Sequence, residues 1–166
     1  PNMQDELRYC LITNLPENKD SDFTWKDFQS KNNNELVSIL GNYINRVLVL
    51  TEKFYDRIVP KCNSKNNSII KEIDSLKKSI DKSIKNFKFR EAMGFVIDVA
   101  RLGNKYLTDN EPWKKFNDDS ENVSEVMFNS IQIVSKIGIL CEPFLPHTSE
   151  KIFNLDNQAN KLGMGG

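Results

Sequence analysis

From Ile69 onward, apolar residues recur at steps of three and four: Ile69, Ile73, Leu76, Ile80, Ile84 and Phe87, with lysines and acids between them. That spacing matches the 3.6-residue turn and lays one apolar stripe along an exposed helix. A second stretch carries Leu36, Ile39, Leu40, Tyr43, Val47, Leu50 and Phe54. A third carries Phe89, Ala92, Met93, Val96, Ile97, Ala100 and Tyr106, and a fourth runs through Val126, Met127, Ile131, Val134, Ile137 and Cys141 before Pro143 and Pro146. An opening helix over about residues 4–14 and a short closing one over about residues 148–154 complete the set. The asparagine runs Asn32 to Asn34 and Asn66 to Asn67 read as helix starts, because asparagine caps N-termini well. Residues 15–24 are polar and read as the longest loop. No segment alternates apolar and polar residues in a sustained way, so the pattern predicts an all-α fold: an antiparallel bundle of about five main helices. Its core is expected to come mainly from the opening helix, the Asn33 helix and the two helices after Asn67.

A chain of 166 residues supports one domain with a sizeable core. Lys+Arg and Asp+Glu are equal at 23 each, so no global field draws the molecule to phosphate, and any contact with nucleic acid has to come from a local face. Hydrophobic residues at 39% and charged residues at 28% are values for a packed domain and not for a disordered chain. The longest apolar candidate, residues 131–144, is broken by Gln132, Ser135, Lys136 and Glu142, so no membrane span is expected and the protein reads as cytoplasmic. Cys10, Cys62 and Cys141 are far apart and accompanied by a single histidine, which argues against a disulfide framework or a metal site. Cys141 follows the apolar pattern of its segment and reads as a core thiol.

Three local signatures go beyond a generic bundle. Asp5-Glu6-Leu7-Arg8-Tyr9 opens the first helix. It resembles the Asp-Ala-Leu-Arg motif of the helical anticodon-binding domain shared by several class I aminoacyl-tRNA synthetases, with Glu6 in place of alanine. The phrase NLPENKDSDFTWKDF, ending at Phe28, and the later LGNYINRV around Asn42 resemble the methionyl-tRNA synthetase family specifically. The third, Asn104-Lys105-Tyr106 running to Glu111-Pro112-Trp113-Lys114, is similar to that family's helix end followed by a Pro-Trp turn. In order and spacing the three cover the chain to about Phe153.

The residues themselves support such a reading. Asn42 and Arg46 are four apart, so on a helix they emerge on one face, an amide that donates and accepts beside a planar cation with five donors. Trp113 follows Pro112, which cannot continue a helix ladder, so its indole is held on a rigid turn where an unpaired base could stack. The resemblance implies that Asn42, Arg46 and Trp113 contact a tRNA anticodon, with Trp113 stacking on a first-position cytosine, and that the anticodon read is CAU. Asn45, Pro112 and Lys114 are expected to support them. Trp25 and Phe28, three apart, read as packing on one side of a short helix. His147, beside Pro146 and a helix cap at Thr148, reads as structural.

The class I catalytic signatures are absent from the sequence, as is any glycine loop that cradles phosphate. The resemblance therefore implies a helical anticodon-binding domain over residues 1–160, a flexible linker beginning at residues 161–166, and a catalytic domain lying elsewhere. ATP with magnesium, and methionine, would be used by that domain and no cofactor by this part. The expected partners are the anticodon loop of a methionine tRNA, bound in the micromolar range or more weakly, and the chain's own catalytic domain, with no membrane and no DNA. Two other readings stay open: the corresponding domain of a valine, leucine, isoleucine or cysteine enzyme, and a helical protein-interaction module without RNA function.

Overall fold

The computed structural model describes residues 3–15, 23–62 and 68–163, with side chains described as far as Leu155. Among the described residues there are helices and no strands: α1 (Gln4–Thr13), α2 (Trp25–Lys31), a π-helical segment (Asn32–Gly41), α3 (Asn42–Tyr55), α4 (Ser68–Lys85), α5 (Phe89–Asn110), α6 (Pro112–Lys115), α7 (Ser120–Cys141) and α8 (Pro146–Gly163). The all-α expectation is met. The expected loop over residues 15–24 and the expected helix start at Asn66 to Asn67 lie largely or wholly outside the described residues.

The second periodic stretch differs from its prediction. Its helix starts at Thr24, whose hydroxyl accepts from the Asp27 N–H and donates to the Asp27 carboxylate, a reciprocal cap of the kind that stabilises an N-terminus. The asparagines at 32–34 are therefore mid-helix. There the chain widens into the π segment, where the Ser38 hydroxyl bonds the Asn33 carbonyl five residues back at 2.6 Å, and then runs without a break into α3. A π segment adds residues to a turn and re-aims the faces beyond it. Here it leaves Leu40, Tyr43 and Val47 all inside.

The core centres on α5, which the pattern places in it, and on α7, which the pattern leaves out of the main core. α7 buries Met127, Ile133, Ile137 and Cys141 among others, and α5 buries Met93, Val96, Ile97 and Leu107. By length and composition α7 could also cross a membrane, contrary to the sequence reading, but 56% of that stretch is buried inside the bundle, as expected of a core helix. Burial pushes the Cys141 thiol up to about 12, in keeping with an inert core thiol. α8 continues to Gly163, beyond the expected end near residue 154 and through residues 161–163 of the expected linker; residues 164–166 lie outside the described residues.

The opening motif holds this architecture together across the whole chain. One Asp5 carboxylate oxygen accepts from the Thr148 N–H at 2.6 Å and its hydroxyl at 2.7 Å, capping the start of α8. One turn on, Arg8 donates to the carbonyls of Phe144 and Pro143 at the end of the preceding corner. Thr148 is thus the recipient of a cap supplied by α1, and not itself the cap the sequence suggests. His147 is structural as expected, its ring bonded to Gln4 at 2.6 Å.

Candidate nucleic-acid interface

α3 and α5 meet at an unusually close approach. Tyr43, fully buried, lies against Gly103, where an added Cβ would sit 2.4 Å from the ring. Its hydroxyl donates to the Ser130 carbonyl of α7 at 3.1 Å, which fixes the register of three helices at once. The neighbours of this pair, Asn42 and Arg46 on one helix and Asn104 on the other, are thereby brought edge to edge.

Asn104 is the hub. Its amide nitrogen donates to the carbonyls of Ile39 at 3.1 Å and Ala100 at 3.2 Å, so the side chain is oriented and its oxygen faces outward. That oxygen accepts from the Arg46 guanidinium at 3.2 Å and from the Asn42 amide at 3.4 Å. The Arg46 guanidinium also lies 5.4 Å from the centre of the Trp113 ring, within cation–π range. The sequence reading expected Asn42, Arg46 and Trp113 on a common surface, and the structure brings them together. Asn104 was missed as a site residue, although it stood in a quoted motif: its role depends on a contact between segments about sixty residues apart.

The indole is presented, not buried. Trp113 is 38% exposed, on a one-turn helix that begins with the buried Pro112 after Glu111 has turned the chain in the left-handed region at φ 45°. The turn is pinned from behind by Phe116, which stacks on Phe54 at 4.3 Å. Asn45, Arg46, Val49, Leu50 and Trp113 enclose a shallow hollow of about 330 Å³. Lys114 is tied to Glu111 at 2.7 Å and exposed, so its expected support is limited to that turn. Trp25 departs from its expected packing role: it is 71% exposed, with edge contacts to Phe23 and Phe28 only as a surface cluster.

An aromatic face and a guanidinium beside an open hollow, with the amides of Asn104 and Asn42 adjoining the guanidinium, can hold a flat heterocycle by stacking and read its edge by hydrogen bonds. Residues 2–48 match the model of the class I (M) tRNA synthetases. Residues 59–161 match that of the anticodon binding domain of methionyl tRNA ligase, and the chain belongs to this family. Among its relatives, methionine–tRNA ligase of Flavobacterium psychrophilum is 52% identical over 155 residues, covering 92% of this chain and 23% of the relative. That of Christiangramia forsetii is 51% identical over 164 residues, covering 97% and 24%. The chain thus spans about a quarter of the curated relatives it matches. The fold is shared with the free form of Mycobacterium tuberculosis methionyl-tRNA synthetase, at a TM-score of 0.84 and 21% identity, over 97% of this chain and 35% of that one.

Proposed function

We propose that this chain reads the CAU anticodon of a methionine tRNA, and that it does so as one helical domain of a methionyl-tRNA synthetase working in the cytoplasm. The observation that carries the reading is the Arg46–Trp113 contact joined through Asn104 to Asn42. Trp113 supplies the stacking face for the first base, a cytosine. Asn42 reads its edge, and Arg46 holds a phosphate or a second base edge. Asn45 lines the hollow, and Pro112 and Lys114 keep the turn in place. The relatives' name is that of a ligase joining methionine to tRNA; the activation of methionine with ATP and magnesium is assigned to the remainder of the enzyme.

Stem-loops differing only in the three loop bases test the reading. The CAU loop should bind more tightly than loops with valine, isoleucine, leucine or cysteine anticodons. Equal binding to all would contradict it, and binding to none would favour a protein-interaction module.

A further inference from the structure

Apart from Arg46, the cations of this domain are not concentrated where the bases would be read. Residues 104–121, which carry Asn104 and Trp113, hold three lysines against five acids, whereas residues 77–90 hold six cations, Lys77, Lys78, Lys82, Lys85, Lys88 and Arg90, against the single acid Asp81. All six are exposed. Among the described residues only Lys88 of the six has an acid within ion-pair distance, Glu91 at 3.7 Å. They surround the turn between α4 and α5, at the far end of α5 from Asn104, about 22 Å away at 1.5 Å per residue.

The turn itself is built in an unfavourable way. The Phe87 N–H bonds the Ile84 carbonyl at 3.0 Å and the Lys88 N–H bonds the Ser83 carbonyl at 2.9 Å, which is the pattern of a helix C-terminal cap whose left-handed residue is usually glycine. Here that residue is Phe87, at φ 58°. It is the one apolar side chain among the positive-φ residues described, and 81% of it faces solvent. The sequence pattern assigns it to the apolar stripe of α4, but that helix ends at Lys85. Neither packing nor backbone preference accounts for a phenylalanine here. Phe89 lies edge-on to it at 6.2 Å. Such an outlier points toward function more than toward stability.

We infer that the α4–α5 turn is a second RNA contact, in which Lys82, Lys85, Lys88 and their neighbours meet the phosphate backbone while Phe87 and Phe89 lie against a sugar or an unpaired base. The charge balance favours a polyanion, and exposed rings among cations suit RNA in particular. This contact rests on the reading that the domain binds tRNA, and adds to it a surface that attracts RNA without regard to sequence. It supplies the local cationic face that a chain of zero net charge needs.

The test uses the whole chain with two transcripts, a methionine tRNA and the same tRNA with a substituted anticodon, each titrated at about 50 and 200 mM salt. A triple Lys82→Gln, Lys85→Gln, Lys88→Gln variant should weaken binding to both transcripts alike and shrink the loss of affinity between the two salts by about tenfold, as expected when some two phosphate contacts disappear. Phe87→Gly should weaken both by about fivefold or more while melting at or above the parent temperature, since glycine suits the left-handed position. Unchanged affinity and salt dependence in these variants, with CAU discrimination intact, would overturn the inference and leave the anticodon reading standing. Loss of binding in the variants with no discrimination in the parent would do the reverse. A parent that binds neither transcript overturns both, and a Phe87→Gly melt well below the parent makes Phe87 a structural residue and overturns its assignment.

Discussion

The two ends of α5 are built from opposite materials. At its C-terminal end, side chains are oriented by one another: Asn104 by two carbonyls, Arg46 by Asn104 and Trp113, Trp113 by a turn pinned with Phe116. At its N-terminal end the chain carries exposed lysines and a ring in strained backbone. Oriented groups distinguish one ligand from another; exposed cations attract any polyanion. A domain with no net charge can afford both only by keeping them apart, and the buried middle of α5, through Val96, Ile97 and Ala100, is what does so.

The core packed around that middle should be weakened by alkali, and with it both ends together, which is the largest effect expected. Burial holds the Cys141 thiol near 12 against an ordinary 9.0, and raises the hydroxyls of the buried Tyr9 and Tyr43 as well. Their folded values lie above their unfolded ones, so this stabilisation is whole below about pH 9 and drains away as pH climbs toward 12. Cys141 alone could account for a loss of up to about 4 kcal/mol. The melting temperature should therefore fall as pH rises above about 9, and a melting temperature unchanged between pH 9 and 12 would contradict the burial argument.

Gly103→Ala comes next. Alanine improves helix propensity by about 0.5–1 kcal/mol, but its Cβ would collide with the Tyr43 ring, and overpacking of this kind costs about 1–3 kcal/mol. Thermal melts should show a net loss. RNA discrimination should fall with it, because the same contact aligns Asn42 and Arg46 with Asn104. A stable variant that still discriminates would mean the helices can part without harm to the site.

Trp113→Ala separates the ends more finely. It should cost about 1–3 kcal/mol in stem-loop affinity with little change in melting and none in salt dependence. Much lower melting with unchanged affinity per folded molecule would make Trp113 a core anchor. The smallest effect is expected from Asn104→Ala, about 1 kcal/mol in binding of the CAU loop, since it leaves the reading groups present but unaligned.

The parts of this arrangement legible in the sequence are those set by neighbours along the chain. The stripe of α4, the four-residue spacing of Asn42 and Arg46, and the Pro-Trp turn are all local, and they placed the helices and three of the candidate residues. What was illegible depends on distant partners or on backbone detail. Nothing near Asp5 announces that it caps a helix 143 residues away, and nothing near Asn104 shows that Gly103 admits a tyrosine from another helix. The asparagines at 32–34 looked like a helix start because they cap well, but Thr24 and Asp27 had already started it. Phe87 kept the period of its helix two residues past its end. The centrality of α7 was underestimated because a helix apolar on most sides shows less contrast than the striped α4 beside it.

The central claim is that Asn42 reads a base edge at the C-terminal end of α5. A double-mutant cycle tests it directly: Asn42→Ala in the protein, cytosine to uracil at the first anticodon position in the stem-loop, with binding measured for all four combinations. If Asn42 reads that base, the two changes should couple by about 1–3 kcal/mol, well above the ~0.5 kcal/mol within which independent sites add. Strict additivity would mean that Asn42 is a solvated helix residue, and would contradict the account.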